Sequence, residues 1–132
     1  MIGVDTNILL RLYVADHPAQ HEAAAFFFSG RTEDEPAYIR LIVLVEFVWS
    51  LRRTYGYSRD DIATLVARMV DAADIRLERA EIVAHALKAS DGSPIGFVDA
   101  VVALANLADG CSRTMTFDKT AARRMPGMEL LT

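Results

Sequence analysis

Residues 1–13 read MIGVDTNILLRLY, in which a short apolar segment is followed by polar residues and then by an amphipathic repeat. Residues 2–4 are typical of a short strand, and Asp5 follows them directly. Beyond Asp5, apolar residues recur at the spacing of one helix face: Ile8, Leu9, Leu12 and Tyr13. We therefore predict a strand that runs straight into a helix, with an acid at the junction.

The same alternation continues along the chain. Further strands are predicted at residues 36–39, 75–77, 114–117 and 128–131, and further helices at 18–28, 41–55, 62–70, 81–89 and 97–108. Strands that alternate with helices indicate a parallel sheet covered by helices on both faces. The predicted fold class is α/β, a three-layer α/β/α sandwich around a central, mainly parallel sheet of four to five short strands. Residues 1–132 are expected to form a single domain of this kind.

Composition narrows the class of protein. With 132 residues, 52% of them apolar, and only 4 Pro and 7 Gly, the chain is expected to fold around one core and not to be disordered. The single Cys111 cannot form an internal disulfide, which favours a reducing compartment, and the cytoplasm is the expected location. The apolar run at 41–49 is short and contains Glu46, and no export signal is recognisable, so neither membrane spanning nor export is expected.

Four acids lie in apolar surroundings. Asp5 and Asp118 each end a predicted strand, whereas Glu46 and Asp99 each lie within apolar helix sequence. Burying an unpaired carboxylate costs several kcal/mol, so a compensating cation is expected. In right-handed βαβ units, the carboxyl ends of strands and the first turns of helices share one edge of the sheet. Glu46 would lie about 7.5 Å below that edge, within partial reach of a long side chain. We therefore expect all four carboxylates to meet there.

Clustered carboxylates repel one another unless a hard divalent cation neutralises them. Mg²⁺ is the natural match, with Mn²⁺ as a substitute, because both accept oxygen ligands. One or two such ions would activate water and stabilise charge on a phosphodiester, which predicts metal-dependent phosphodiester hydrolysis. The net charge of −4 ordinarily argues against a nucleic-acid partner. Without the four acids the net charge is zero, and a bound metal would attract a polyanion.

Four segments resemble the PIN-domain nucleases, and specifically the VapC-type toxins of bacterial toxin–antitoxin pairs. They are Val-Asp-Thr-Asn-Ile-Leu at 4–9, Leu-Val-Glu-Phe-Val-Trp-Ser-Leu-Arg-Arg at 44–53, Phe-Val-Asp-Ala at 97–100 and Thr-Phe-Asp at 116–118. The order of elements matches along essentially the whole chain. The resemblance implies a Mg²⁺-dependent endoribonuclease that inhibits growth or translation. It also implies inhibition by a cognate antitoxin and a homodimeric state.

The resemblance also implies roles for particular residues. By position, the metal-binding and catalytic acids are Asp5, Glu46, Asp99 and Asp118, and the hydroxyls that contact metal-bound water are those of Thr6 and Thr116. Relatives often carry a further acid where this chain has Gly96, which leaves open the choice between one and two ions. Basic residues near the matching segments are candidate RNA contacts: Arg52, Arg53, Arg113 and Lys119.

Each acid also has a purely structural explanation. Asp5 and Asp118 could cap the helices that follow them. Glu46 could form an ion pair with Arg11 or Arg40. The acid in the first turn of the helix at 97–108 is favoured by the helix macrodipole. For the candidate RNA contacts, an arginine in a last helical turn is likewise favoured by the dipole. The joint occurrence of four acids favours the metal site, because four separate explanations would otherwise be needed.

Two functions other than a nuclease are consistent with the same residues. A receiver-like phosphoacceptor domain would need paired acids after the first strand, whereas Asp5 is followed by Thr6 and Asn7. A catalytically inactive PIN-fold interaction module is the other alternative.

The aromatic residues at 26–28, 47 and 49 exceed what one surface helix needs, so a homodimer and an apolar groove for an antitoxin segment are expected.

Overall fold

Three short parallel strands organise the first part of the chain in the computed structural model, which describes residues 1–132. Strand β1 (Ile2–Gly3) pairs with β2 (Ala37–Ile39), and β2 pairs with β3 (Ile75–Leu77). Residue 37 lies opposite residue 2 on one side and residue 75 on the other, so the strand order is β1-β2-β3. The sheet belongs to the first of two compact units, Met1–Arg79 and Ala80–Thr132.

Four helices connect the strands of this unit: α1 (Thr6–Tyr13), α2 (Pro18–Ser29), α3 (Leu41–Arg53) and α4 (Arg59–Asp71). The helix start predicted from Pro18 is confirmed, because proline occupies the first turn of α2. The core of this unit includes buried side chains from α1, β2, α3 and α4, among them Leu9, Ile39, Leu44, Phe47, Leu51, Val66 and Met69. The Tyr13 and Phe47 rings lie 5.6 Å apart, which joins α1 to α3.

Helix α3 is amphipathic although its sequence is mostly apolar. Its buried face consists of Leu44, Phe47, Val48 and Leu51. Its opposite face carries four exposed residues at i, i+4, i+7 and i+11, namely Ile42, Glu46, Trp49 and Arg53, which we call the outer stripe of α3. The apolar residues of α3 therefore exceed what its buried face uses, and the excess is exposed.

The beginning of α3 is stabilised by a residue that is distant in sequence. Arg40 is the N-cap residue, but its side chain caps nothing. Glu78, which follows β3, accepts a hydrogen bond from Leu41 N at 2.8 Å and pairs with Arg40 at 3.2 Å. The hydrogen bond from Leu41 N lowers the pKa of Glu78, outweighing partial burial, and Arg40 lowers it further. Glu78 thus supplies the cap that α3 lacks locally.

The second unit consists of α5 (Ala80–Ser90), α6 (Phe97–Ala108), β4 (Thr114–Thr116), α7 (Lys119–Arg124) and β5 (Met128–Leu130). Helices α5 and α6 pack together, and both carry small buried residues such as Ala86 and Ala100. Asn106 donates a hydrogen bond to the Thr114 hydroxyl at 2.9 Å, which joins α6 to β4. Gly127 has φ +82°, and a Cβ there would lie 2.9 Å from a Leu107 methyl carbon, so glycine is required.

The α/β class with parallel strands is confirmed, and each predicted helix and strand is present with boundaries shifted by a few residues at most. The expectation of one continuous sheet is not met. The strands form a three-stranded sheet and a separate two-stranded sheet, because β4 directs its backbone hydrogen bonds to β5. The single-domain prediction stays a prediction. None of the helices has the length and apolar character needed to cross a membrane.

Candidate functional site

Asp5 lies between β1 and α1 and caps the helix. Its Oδ1 accepts a hydrogen bond from Thr6 N at 2.8 Å, and its backbone is extended, as is usual at an N-cap. The capping explanation is therefore confirmed for one carboxylate oxygen, while the side chain remains exposed. Thr6 is only 6% exposed, and it is the only polar or charged residue of the chain that is buried. Its predicted contact with metal-bound water stays a prediction.

Glu46 lies near the middle of α3, in its outer stripe. The expectation that it is buried is wrong, because the apolar residues around it in sequence point to the opposite face. The alternative of an ion pair is also wrong: Arg11 pairs with Asp16 at 3.2 Å, and Arg40 pairs with Glu78. Glu46 is thus an exposed carboxylate whose two suggested cationic partners are engaged elsewhere.

Asp99 lies in the first turn of α6, where the helix macrodipole favours an acid. It too is exposed, so its predicted burial is wrong for the same reason as that of Glu46: Ala100, Val101 and Ala103 form the buried face of α6. Gly96 is the N-cap residue and supplies no side-chain cap. A Cβ at position 96 would meet no atom within 4 Å, so the backbone has room for an acid at that position.

Asp118 follows β4 and caps α7. Its Oδ1 accepts from Ala121 N at 3.0 Å, which confirms the capping explanation, and its side chain is exposed. The backbone N–H of Asp118 donates to the Thr116 hydroxyl oxygen at 3.0 Å. The Thr116 side chain therefore holds the turn that presents Asp118. Its contact with metal-bound water stays a prediction.

Each unit of the structure contributes two of the four acids. In the first unit, Asp5 precedes α1 and Glu46 lies on α3; in the second, Asp99 lies on α6 and Asp118 follows β4. None of the four forms an ion pair with lysine or arginine. No group of three or more His, Cys, Asp and Glu side chains is placed so that it could hold a metal ion. Convergence of all four acids stays a prediction.

The donor chemistry of these residues nevertheless fits a hard divalent cation. All four side chains are exposed carboxylates, and carboxylate oxygens are the ligands that Mg²⁺ and Mn²⁺ prefer. In Asp5 and Asp118 the capping bond involves Oδ1, so Oδ2 can still bind a metal. Without arginine or lysine partners, the four carboxylates have no neutralising cation within the chain.

The candidate RNA contacts differ in their surroundings. Arg52 and Arg53 are exposed in the last turn of α3, where Arg52 donates to Tyr57 O at 3.1 Å. Arg113 forms an exposed ion pair with Glu129 at 3.4 Å, and an exposed pair of this kind is weak enough to exchange for a phosphate. Lys119 is exposed at the start of α7. All four cations are accessible.

The structure adds two features to these candidates. Trp49 is 55% exposed, and the Arg53 guanidinium lies 5.4 Å from the centre of its ring. In the sequence, Trp49 follows Glu46 by three residues. Residues at this spacing share a helix face, so the sequence already indicated that the two side chains lie together. The second feature is an open cleft of about 470 Å³ in the first unit, formed by the end of β1, α1 and α2 and lined by residues such as Asp5, Ile8 and Phe27.

Comparison with protein families gives one match. The family model described as the PIN domain matches residues 2–126, a range that includes all four acids and parts of both units. A comparison with curated proteins found no match.

Proposed function

The chain belongs to the PIN-domain family, and from this nuclease-type fold we propose that it is a Mg²⁺-dependent endoribonuclease. We further propose that it acts as the toxin of a toxin–antitoxin pair. Members of the family are typically metal-dependent nucleases, which favours hydrolysis over the receiver-like alternative. The inactive interaction module remains the competing function, and activity measurements separate the two.

One observation carries the proposal: the four acids at the ends of strands and on the outer faces of helices are exposed and unpaired. Exposed acids are common on protein surfaces, so it is the occurrence of these four within the segments that match the family that gives them weight. Glu46 and Asp99 form no ion pair, and Asp5 and Asp118 each use a single oxygen in capping. Carboxylates left free in this way are suited to binding a cation from solution.

We assign the binding of the metal to Asp5, Glu46, Asp99 and Asp118. A bound Mg²⁺ supplies an activated water and stabilises the charge that develops on the phosphodiester. The hydrogen bonds to Thr6 N and Ala121 N hold the Asp5 and Asp118 side chains in fixed orientations before any ligand arrives. Such preorganisation lowers the ordering cost of binding.

The basic residues have a separate role in this proposal. Arg52 and Arg53 would contact RNA phosphates on the first unit, and Arg113 and Lys119 on the second. Phosphate contacts of this kind position the RNA on the protein without reading the RNA sequence. They weaken as the salt concentration rises. The cleft lined by Asp5, Ile8 and Phe27 is our candidate for the antitoxin segment, because it combines an apolar wall with a proposed metal ligand.

The experiment measures cleavage of single-stranded RNA by the purified chain, free of antitoxin, in Mg²⁺ or Mn²⁺. We expect cleavage that EDTA abolishes, and that Asp99→Asn reduces by a factor of at least a hundred. Asp91→Asn is the matched control, because Asp91 is an exposed acid of the same unit outside the proposed site. Cleavage that persists in EDTA and in Asp99→Asn would overturn the proposal, and absence of any cleavage would favour the inactive module.

A further inference from the structure

The outer stripe of α3 exposes the only tryptophan of the chain. Trp49 lies between Glu46, three residues before it, and Arg53, four residues after it. Its neighbours in sequence, Val48 and Ser50, are buried and half-buried, whereas the Trp49 ring is more than half exposed. The indole face is therefore accessible to a partner from solution.

The surroundings of Trp49 indicate an anionic partner with flat rings. The Arg53 guanidinium lies 5.4 Å from the centre of the indole ring, within the range of a cation–π contact, and Arg52 adds a second exposed cation in the same turn. Proteins that bind single-stranded nucleic acids combine such cations, which contact the phosphates, with aromatic rings on which bases stack. Both components are present within one turn of α3.

We propose that Trp49 is a stacking platform for an unpaired RNA base that flanks the cleaved phosphodiester. The inference rests on the proposed function, because the platform is placed by its distance from Glu46. Three residues along a helix correspond to an axial rise of about 4.5 Å, a step that one nucleotide spans readily. A base stacked on Trp49 therefore positions the neighbouring phosphate beside Glu46. Only unpaired bases can stack there, so the substrate is single-stranded at this position.

A second copy of the chain is the competing occupant of the same surface. The stripe contains Glu46 near its centre and Arg53 at its end. The centres of protein interfaces are depleted in charged residues, and in glutamate in particular, so a self-contact here would bury a carboxylate at a cost. RNA suits the surface better, because its phosphates match the arginines and its bases match the indole.

Intrinsic fluorescence tests the inference directly, because the emission comes from one residue. The full chain is titrated in EDTA, which prevents metal-dependent cleavage, with a single-stranded RNA 12-mer and with an abasic oligomer of the same length and charge. We expect saturable quenching of Trp49 emission by the RNA and little by the abasic oligomer. Binding measured independently with labelled RNA should weaken at least fivefold in Trp49→Ala and recover largely in Trp49→Phe.

Phe26→Ala is the matched control, because Phe26 is an aromatic residue of the same unit that is 81% exposed on a different helix. We expect it to bind labelled RNA with unchanged affinity. Circular dichroism shows whether each variant is folded. The inference is overturned if RNA binds without quenching, if Trp49→Ala keeps its affinity, or if no RNA binds either in EDTA or in Mg²⁺. Emission that shifts with protein concentration and not with RNA overturns it in favour of a second copy.

Cleavage in Mg²⁺ is measured separately on the same preparation. Quenching by RNA without cleavage would support base stacking on Trp49 but overturn the ribonuclease proposal and, with it, the placement of the base beside a cleaved phosphodiester. Cleavage without quenching would support the ribonuclease proposal and overturn the stacking platform. The failure of one proposal is thus distinguishable from the failure of the other.

Discussion

Asp5 and Asp118 show how one side chain can serve both stability and chemistry. Each caps a helix with Oδ1, and each leaves a second oxygen that no backbone group uses. The capping bond also fixes the orientation of the carboxylate. A structural role is therefore no argument against a functional one at these two positions, and substitutions can separate the two.

Substitution of Asp5 separates capping from metal binding. Asparagine caps helices about as well as aspartate, so Asp5→Asn is expected to change the free energy of unfolding by a few tenths of a kcal/mol and to abolish cleavage. Asp5→Ala removes the bond to Thr6 N and should also cost about 1 kcal/mol of stability. Urea unfolding and RNA cleavage measure the two effects. Equal loss of stability in both variants would contradict this account of the cap.

Gly96 provides a second test at a single position. The backbone there is extended, and a Cβ would meet nothing within 4 Å. We expect Gly96→Asp to fold normally and to stabilise α6 by a few tenths of a kcal/mol, because aspartate is a better N-cap than glycine. A carboxylate three residues before Asp99 should also tighten Mn²⁺ binding, measured by calorimetry. Gly96→Ser, which caps without a charge, is the control, and tightening in both variants would contradict a role for the added charge.

At the scale of elements, α3 shows that a helix can depend on a distant cap. The residue before α3, Arg40, contributes no capping side chain, and Glu78 replaces it from the end of β3. The interaction joins the beginning of α3 to the end of the third strand. It also makes the stability of this part of the fold depend on the charge of one carboxylate.

Stability should therefore respond to acid through Glu78. Its pKa is lowered in the folded state, so its contribution is present above the ordinary pKa of glutamate and is lost as the pH falls through the folded value. Glu78→Gln keeps an oxygen for Leu41 N but cannot ionise, so we expect a shallower loss of stability between pH 6 and pH 3. Urea unfolding across this range measures it. A slope equal to that of the parent chain would contradict the assignment.

At the scale of the whole molecule, exposed apolar side chains indicate association. Several large ones are exposed, among them Ile8, Phe117 and Leu131. The proposed homodimer and the antitoxin would each cover part of this surface. Covering it removes apolar area from water, which is the main favourable term in protein association.

Sedimentation of the isolated chain tests the homodimer. At micromolar concentration we expect a species of twice 14.6 kDa that dissociates on dilution, because dimerisation depends on concentration. The matched measurement with RNA in EDTA shows whether the dimer and the substrate compete for one surface. A 14.6 kDa species across the micromolar range would contradict the dimer.

Local information in the sequence was sufficient for the elements and for the positions of the acids along the chain. Helix and strand periodicity depends on neighbouring residues, and Asp5 and Asp118 act on N–H groups within three residues of themselves. These features were predictable because the interactions that produce them are short in sequence. Joining the acids of the two units into one metal site remains a prediction from family resemblance.

Only the tertiary structure decided which helix faces are covered. The sequence around Glu46 and Asp99 is apolar on all sides, so periodicity could not show that both carboxylates face solvent. The tertiary structure also decided two further features. Glu78 caps α3 through Leu41, 37 residues away, and the strands form two separate hydrogen-bonded sheets. Exposure and pairing depend on which elements pack against each other, and that depends on contacts between residues far apart in the chain.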